Sequence, residues 1–135
     1  MFKRSAVRLM EFVSTKAAPP PAAPYAQATK FNGTLYVSGQ IPLTPAGKVV
    51  EGDIKAKAQQ CFENLDAILK AGGTSKENIL KLNIFTTDIS SFCPVNEAYV
   101  KYLEGHTPAR SFVSVKELPL NMDVEVEGIA AITEK

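Results

Sequence analysis

The sequence has little of what metal and covalent chemistry need. It contains one histidine, His106, and two cysteines, Cys61 and Cys93. A single histidine offers little for a zinc site or for a histidine-based triad. The two cysteines have neither the spacing of a metal-binding pair nor the number of a disulfide framework. We therefore expect a metal-free protein of a reducing compartment.

An excess of charge of one sign and long apolar runs are lacking too. The 15 basic and 14 acidic residues nearly balance, and the net charge is +1. This balance disfavours a nucleic-acid-binding protein, which would carry a basic stripe. No apolar run has the length of a membrane span, so no membrane partner is expected. The 135 residues fit one domain with a hydrophobic core.

The N-terminal residues differ in composition from the rest. The first sixteen include four basic residues and one acidic residue, Glu11, with serines and apolar residues between them. Two interpretations remain open: a short mitochondrial presequence, which indicates the mitochondrial matrix, and a basic tail on a cytoplasmic protein. We predict a flexible basic segment over residues 1–12, a presequence remnant in the first interpretation, and a single domain over residues 13–135.

Apolar spacing and turn signals predict the element order β-β-α-β-α-β-β. Asn32-Gly33 is a strong hairpin signal within residues 25–43. Asp53 suits the N-cap of a helix whose apolar residues recur at helical spacing until Gly72-Gly73. The remaining predicted elements are a strand over residues 78–89, a helix capped by Ser90 or Ser91, and a closing hairpin over residues 106–132.

This order predicts an α+β fold with one sheet and both helices packed on one face of it. The other face would then carry Arg110, Glu125 and Glu127, and it is too mixed in character to be simply solvated. Packing against other copies would cover it and make the protein an oligomer.

Arg110 and Glu125 are the main candidates for chemistry, because the predicted closing hairpin puts both on one face with Phe112. The planar fork of arginine matches a carboxylate, so Arg110 could orient a small anion. Glu125 beside the Phe112 ring would be partly desolvated, which raises its pKa and suits acid–base work. The alternative is an ordinary cross-strand ion pair between Arg110 and Glu127, which the residue pattern alone favours.

Four further residues are weaker candidates. Tyr25 follows a proline-rich lead-in and is either a hydroxyl that reaches a neighbouring subunit or an aromatic anchor at the sheet edge. Ser38 and Gly39 end a strand, where free backbone N–H groups could bind an anion. Asn96 is polar on an otherwise packed helix, which a local cap or solvent contact would explain equally well.

Several segments, taken in order, resemble the RidA family, also called the YjgF/YER057c/UK114 family. They are VSTKAAPPPAAPYAQA, YVSGQIPLTPAGKVVEGDI, VNEAYVKYL, TPARSFVSV and ELPLNMDVEVEGIAAI. The similarity covers nearly the whole chain from about Val13. The ordered combination of S-G-Q-I-P, P-A-R-S and L-P before an E-x-E strand is highly specific. The basic start and the VSTK-APP segment resemble the mitochondrial members of yeasts and other fungi most.

This resemblance implies a chorismate-mutase-like fold that forms a homotrimer with clefts between subunits. It also implies cofactor-free hydrolysis of 2-aminoacrylate and related enamine or imine intermediates to 2-keto acids and ammonia, the activity of a 2-iminobutanoate/2-iminopropanoate deaminase. Arg110 would hold the substrate carboxylate, and Glu125 would position water. The matching cleft residues are Tyr25, Ser38, Gly39 and Asn96.

The chain departs from the family pattern at two places. Phe112 stands where many members have cysteine, and its ring would narrow the cleft beside Arg110. Ala23-Pro24-Tyr25 replaces a common Gly-Pro-Tyr. Two other functions stay open: a non-catalytic ligand-binding trimer, with Phe112 closing the catalytic cleft, and a translation-inhibiting ribonuclease, which the balanced charge and single histidine disfavour.

Overall fold

The computed structural model describes residues 9–133. Six strands form one mixed sheet, and two helices pack together on one of its faces. The α+β architecture is therefore as predicted. The elements are β1 (Glu11–Val13), β2 (Ala28–Phe31), β3 (Thr34–Gln40), α1 (Ile54–Ala71), β4 (Ile79–Thr86), α2 (Phe92–Leu103), β5 (Ala109–Ser114) and β6 (Val124–Ala131).

Strand β1 begins inside the segment that was expected to be flexible. Glu11 and Phe12 pair with Lys30 and Thr29 of β2. These two residues therefore belong to the sheet, and the predicted boundary between residues 12 and 13 falls within a strand. Residues 1–8 lie outside the described residues, so the prediction made for them remains one.

Local sequence signals set the ends of several elements as predicted. The carboxylate of Asp53 accepts the backbone N–H of Ala56 at 2.9 Å and caps α1. Asn32 and Gly33 have φ values of 57° and 82°. Positive φ at both residues is what a tight hairpin between β2 and β3 requires. Ser91 takes the N-cap position of α2, although its side chain makes no capping hydrogen bond.

The order of the strands contradicts the predicted closing hairpin. The sheet runs β1-β2-β3-β6-β4-β5, so β4 lies between β5 and β6. Strand β5 pairs in parallel with β4, and β6 pairs antiparallel with both β3 and β4. Parallel neighbours need a long crossover, which α2 supplies. The connection over residues 115–123 then returns the chain to the middle of the sheet.

The two faces of the sheet differ in character. Alternate residues of β6, from Val124 to Ala130, are buried on the side that α1 covers. We call this side the helix face and the other side the open face. On the open face Phe12 is 72% exposed and Tyr36 is 48% exposed, and both pair with Thr29. Exposed aromatic side chains of this kind support the expectation that other copies cover the open face. The trimer itself remains a prediction.

Candidate active site

Arg110 projects from the edge strand β5 towards α2. Its Nη1 donates to Oδ1 of Asn96 at 2.6 Å. Its guanidinium carbon lies 4.6 Å from the centre of the Tyr99 ring, within the range of a cation–π contact. The neutral Asn96 side chain uses one N–H of the fork and leaves the charge unneutralised. Arg110 is therefore oriented by its neighbours without being ion-paired by them.

Two phenylalanine rings complete these surroundings. The guanidinium carbon lies 5.6 Å from the ring centre of Phe92 and 5.8 Å from that of Phe112. Phe92, Asn96 and Tyr99 follow one another at helical spacing, so one stripe of α2 supplies all three contacts. We call Arg110 and these four residues the Arg110 cluster. Apolar walls lower the local polarity, which would strengthen the attraction of the guanidinium for an anion.

Glu125 lies on the open face of β6, above a break in the neighbouring strand. The register of β3 shifts between Val37 and Gln40, as in a β-bulge. This irregularity brings the Gly39 backbone directly beneath Glu125. A Cβ atom added to Gly39 would overlap the Glu125 carboxylate. The absence of a side chain at residue 39 is therefore what allows Glu125 its observed position.

The surroundings of Glu125 disfavour its charged form. Burial raises the pKa of the Glu125 carboxyl above its usual range, and the nearby Glu127 raises it further. Glu127 in turn accepts a hydrogen bond from Nδ2 of Asn83 at 3.2 Å. The predicted direction of the shift is thus confirmed. The predicted cause, partial desolvation, is confirmed too, but the predicted neighbouring ring is wrong, because the cross-strand neighbour of Glu125 is Phe85 and not Phe112. We call Gly39, Glu125, Glu127 and Asn83 the Glu125 pocket.

Ser38 and Tyr25 lie at the end of β3 and on the segment beside it. The Ser38 hydroxyl donates to the carbonyl oxygen of Ala26 at 2.7 Å, and its backbone N–H donates to that of Gln27 at 2.9 Å. The expectation of a free N–H at Ser38 is therefore wrong, because β3 and the preceding segment pair there. The Tyr25 ring is 47% exposed. It is open to contact from outside the chain.

A single chain does not bring Arg110 and Glu125 together. Arg110 pairs in register with Leu82, which is fully buried on the helix face. Glu125 pairs with Phe85, which projects from the open face. The predicted shared face is therefore wrong, because it assumed that β5 and β6 are direct neighbours. The alternative of an Arg110–Glu127 ion pair fails for the same reason.

Two aromatic contacts of Arg110 were not predicted. Phe92 and Tyr99 belong to the apolar stripe of the second helix, which indicates core packing when it is read alone. The signal that could have found them is the strand–helix–strand order from β4 to β5. A crossover helix packs back against the sheet beside the strand it leads into. Its apolar stripe is therefore placed to contact a side chain of β5 on that face, such as Arg110.

Residues 9–133 contain neither a membrane-spanning helix nor a cluster of metal-binding side chains. No helix there is long and apolar enough to cross a membrane. That part of the chain also contains no group of three or more histidine, cysteine, aspartate or glutamate side chains able to hold a metal ion.

Residues 15–132 match the family model described as Endoribonuclease L-PSP. The chain belongs to this family, which includes RidA and YjgF. It is similar to the mitochondrial protein Mmf1 of Saccharomyces cerevisiae, with 49% identity over 94% of this chain and 88% of that protein. The crystal structure of yeast Mmf1 matches with a TM-score of 0.90, over 93% of this chain and 100% of that one.

Two further relatives carry functional information in their names. The 2-iminobutanoate/2-iminopropanoate deaminase of Mus musculus is 39% identical over 90% of this chain and 91% of that protein. The crystal structure of E. coli TdcF with bound serine matches with a TM-score of 0.87 and 33% identity, over 91% of this chain and 99% of that one. The predicted family is thus confirmed.

Proposed function

We propose that the protein hydrolyses small 2-imino acids, such as 2-iminopropanoate and 2-iminobutanoate, to 2-keto acids and ammonia without a cofactor. The observation that carries the proposal is the state of Arg110. None of the ion pairs among residues 9–133 includes it, although aromatic rings surround it. An oriented, unneutralised guanidinium in apolar surroundings is suited to bind the carboxylate of a substrate.

The reaction needs Glu125 as well, and we propose that a second copy supplies it. The Arg110 cluster lies at the sheet edge, whereas the Glu125 pocket lies on the open face. In a homotrimer, the edge strand of one copy would meet the open face of the next. This arrangement would cover the exposed aromatic side chains and form a cleft from two chains. Asn96 and Phe112 would line its Arg110 side, and the remaining cleft residues would be Tyr25, Ser38 and Gly39.

The proposed chemistry is attack by water on an imine carbon. Arg110 holds the carboxylate of the imino acid. Glu125 accepts a proton from water as the water oxygen bonds to the C=N carbon, and the nitrogen takes up a proton. The Glu125 carboxyl then returns its proton to the amino nitrogen of the carbinolamine, and the C–N bond breaks so that nitrogen leaves as ammonia. The hydroxyl group loses its proton to water as the C=O bond of the keto acid forms, and Glu125 is again a carboxylate. Imines of this kind also react in bulk water, so holding substrate and water together supplies most of the acceleration needed.

The substrates would come from pyridoxal-phosphate-dependent dehydratases that act on serine and threonine. The threonine-derived imine would link the protein to isoleucine biosynthesis. We propose the mitochondrial matrix as the location, supported by the 49% identity to a yeast protein named as mitochondrial. A fluorescent fusion of the full chain tests this, with the same fusion lacking residues 1–8, which precede β1, as control. Cytoplasmic fluorescence from the full chain would overturn it.

A coupled assay tests the activity. Serine dehydratase generates 2-aminoacrylate, and lactate dehydrogenase reports the pyruvate that is released. We expect the wild-type protein to accelerate pyruvate release and Arg110→Ala to match the rate without protein. Failure of the folded wild-type protein to accelerate release would overturn the proposal.

Mixed oligomers test whether two chains share the site. Arg110→Ala and Glu125→Gln chains are co-expressed with different tags, and the mixed species are purified. In every mixed trimer, about one cleft in three receives both an intact Arg110 and an intact Glu125. We therefore expect roughly a third of the wild-type activity from two inactive parents. A site contained in one chain would leave the mixture inactive.

A second candidate is a non-catalytic protein that binds keto acids, and the Phe112 ring beside Arg110 favours it. Calorimetric binding of 2-ketobutyrate, lost in Arg110→Ala, together with no imine turnover, would support this function. The family name also calls for a ribonuclease control. RNA cleavage that survives Arg110→Ala would indicate a contaminant or a different site.

A further inference from the structure

We infer that Phe92 and Phe112 act together as a size filter, which admits imino acids with short unbranched side chains and rejects branched and aromatic ones. This inference rests on the proposed function. It names two specificity-determining residues for the same site, one of which, Phe92, the sequence pattern assigns only to helix packing.

The two rings form one continuous wall. Their centres lie 4.9 Å apart, with the ring planes tilted by 56°. Phe112 comes from β5 and is half-buried against the core, beside its register partner Ile84. Phe92 comes from the first turn of α2 and is 39% exposed. The wall is thus fixed from below by the sheet, while its outer part is open to a ligand.

The wall lies where a substrate side chain would start. Both ring centres are within 6 Å of the guanidinium carbon, and Tyr99 and Asn96 take up other sides of Arg110. The carboxylate of a 2-imino acid is bonded directly to the imine carbon, which also carries the side chain. A carboxylate bound to the remaining N–H groups of Arg110 therefore holds the first side-chain carbons beside the two rings.

An aromatic wall that is anchored in both a strand and a helix resists displacement. Added bulk in a filled apolar site forces side chains from their preferred rotamers. A methyl or ethyl group would lie along the ring faces, whereas an isobutyl or benzyl group would have to move a ring. The discrimination available to an apolar pocket is about tenfold or more for each group that does not fit.

The test compares kcat/KM for four imino acids. Serine and threonine dehydratases supply the three- and four-carbon imines, and an L-amino acid oxidase supplies those of leucine and phenylalanine. We expect Phe112→Ala and Phe92→Ala each to raise the ratio of leucine-derived to three-carbon activity by about tenfold. Val100→Ala, which trims an exposed side chain of α2, is the control and should leave the ratio unchanged.

Phe92→Ala keeps the test decisive if Phe112→Ala does not fold, because Phe92 is largely outside the core. A wild-type protein that hydrolyses the leucine-derived imine as fast as the small ones would overturn the size filter. So would an unchanged ratio in both folded variants. Both outcomes leave the proposed function intact, since activity on the three-carbon imine is measured in the same experiment. A wild-type protein inactive on all four would instead overturn the proposed function.

Discussion

The Arg110 cluster and the Glu125 pocket are built in different ways. Arg110 and Asn96 are 14 positions apart and lie on consecutive elements, α2 and β5. Glu127 and Asn83, in the Glu125 pocket, are 44 positions apart, and Gly39 comes from yet another strand. The first group follows from one helix stripe and the strand after it. The second exists only because β6 inserts between β3 and β4.

The two groups also differ in electrostatics. Arg110 has a neutral partner and three aromatic rings, whereas Glu125 has a second carboxylate close by. Within residues 9–133 Arg110 has no anionic partner, and Glu125 lies near a second carboxylate, Glu127. Each of these arrangements raises the free energy of the folded single chain. A substrate carboxylate would relieve the first, and a proton taken up during catalysis would relieve the second. We infer that each group is arranged for its step of the reaction at some expense of stability.

The largest effect should come from breaking the Arg110 cluster. We expect Arg110→Ala to lower kcat/KM by about 10²-fold or more, because a charged hydrogen-bonding group that holds the substrate is lost. Arg110→Lys should have a kcat/KM between those of the wild type and Arg110→Ala, since an ammonium keeps the charge but loses the planar guanidinium that can bind a carboxylate through two hydrogen bonds. Pyruvate release measures both. Lys101→Ala removes an exposed cation from α2 and should retain full rate. An Arg110→Ala variant with more than half the wild-type rate would contradict the clamp.

The corresponding change in the Glu125 pocket is Gly39→Ala. The added Cβ would overlap the end of the flexible Glu125 side chain. We therefore expect this side chain to be displaced while the protein stays folded. We expect kcat/KM to fall by about tenfold to hundredfold, as for other misplaced catalytic groups, with little change in Tm. The control is Gly39→Ala combined with Glu125→Gln, which should lose nothing beyond the single Glu125→Gln change. A further loss would show that Gly39 acts independently of Glu125.

The same contrast explains what the sequence could predict. The cap at Asp53, the turn at Asn32-Gly33 and the extent of α1 depend on neighbouring residues, and all three are confirmed. The partner of β5 depends on the whole sheet. Periodicity identifies which residues of a strand share a face, but not which face of the sheet that is. The choice of Arg110 and Glu125 as site residues, made from residue type and resemblance, therefore stays a hypothesis, and their predicted placement on one face was wrong.

The dependence of activity on pH should distinguish the carboxylate pair from an isolated acid. In the proposed reaction Glu125 acts as the carboxylate, so activity should fall as pH drops through its raised pKa. Glu127→Gln removes a negative charge, which lowers the pKa of Glu125 and shifts the acid limb of kcat/KM to lower pH. Asn83 and Phe85 of β4 and Gly39 of β3 add no charge there. Glu51→Gln, at an exposed loop, should leave the limb in place. If the acid limb of kcat/KM did not shift in Glu127→Gln, the effect of Glu127 on the pKa of Glu125 would be contradicted.

The same pKa shift has a consequence for stability. A carboxyl whose pKa is raised in the folded state binds protons more tightly when folded, so its charged form destabilises the protein above that pKa. We expect Glu125→Gln to raise Tm modestly near pH 7, and the gain to shrink as pH falls through the pKa of Glu125. Thermal unfolding at several pH values measures this. A lower Tm in Glu125→Gln at neutral pH would contradict the cost assigned to the charge.

The smallest effect should come from Asn96, which orients Arg110 without neutralising it. Asn96→Ala removes one hydrogen bond to a charged group at a half-exposed position, and we expect KM to rise by about three- to tenfold with kcat nearly unchanged. Asn96→Asp separates orientation from charge. Its carboxylate would still hold the fork, but it would compete with the substrate carboxylate, so KM should rise further than in Asn96→Ala. If Asn96→Asp instead matched the wild-type protein, the neutrality of this partner would have no bearing on substrate binding, and the electrostatic contrast between the two groups would lose its functional meaning.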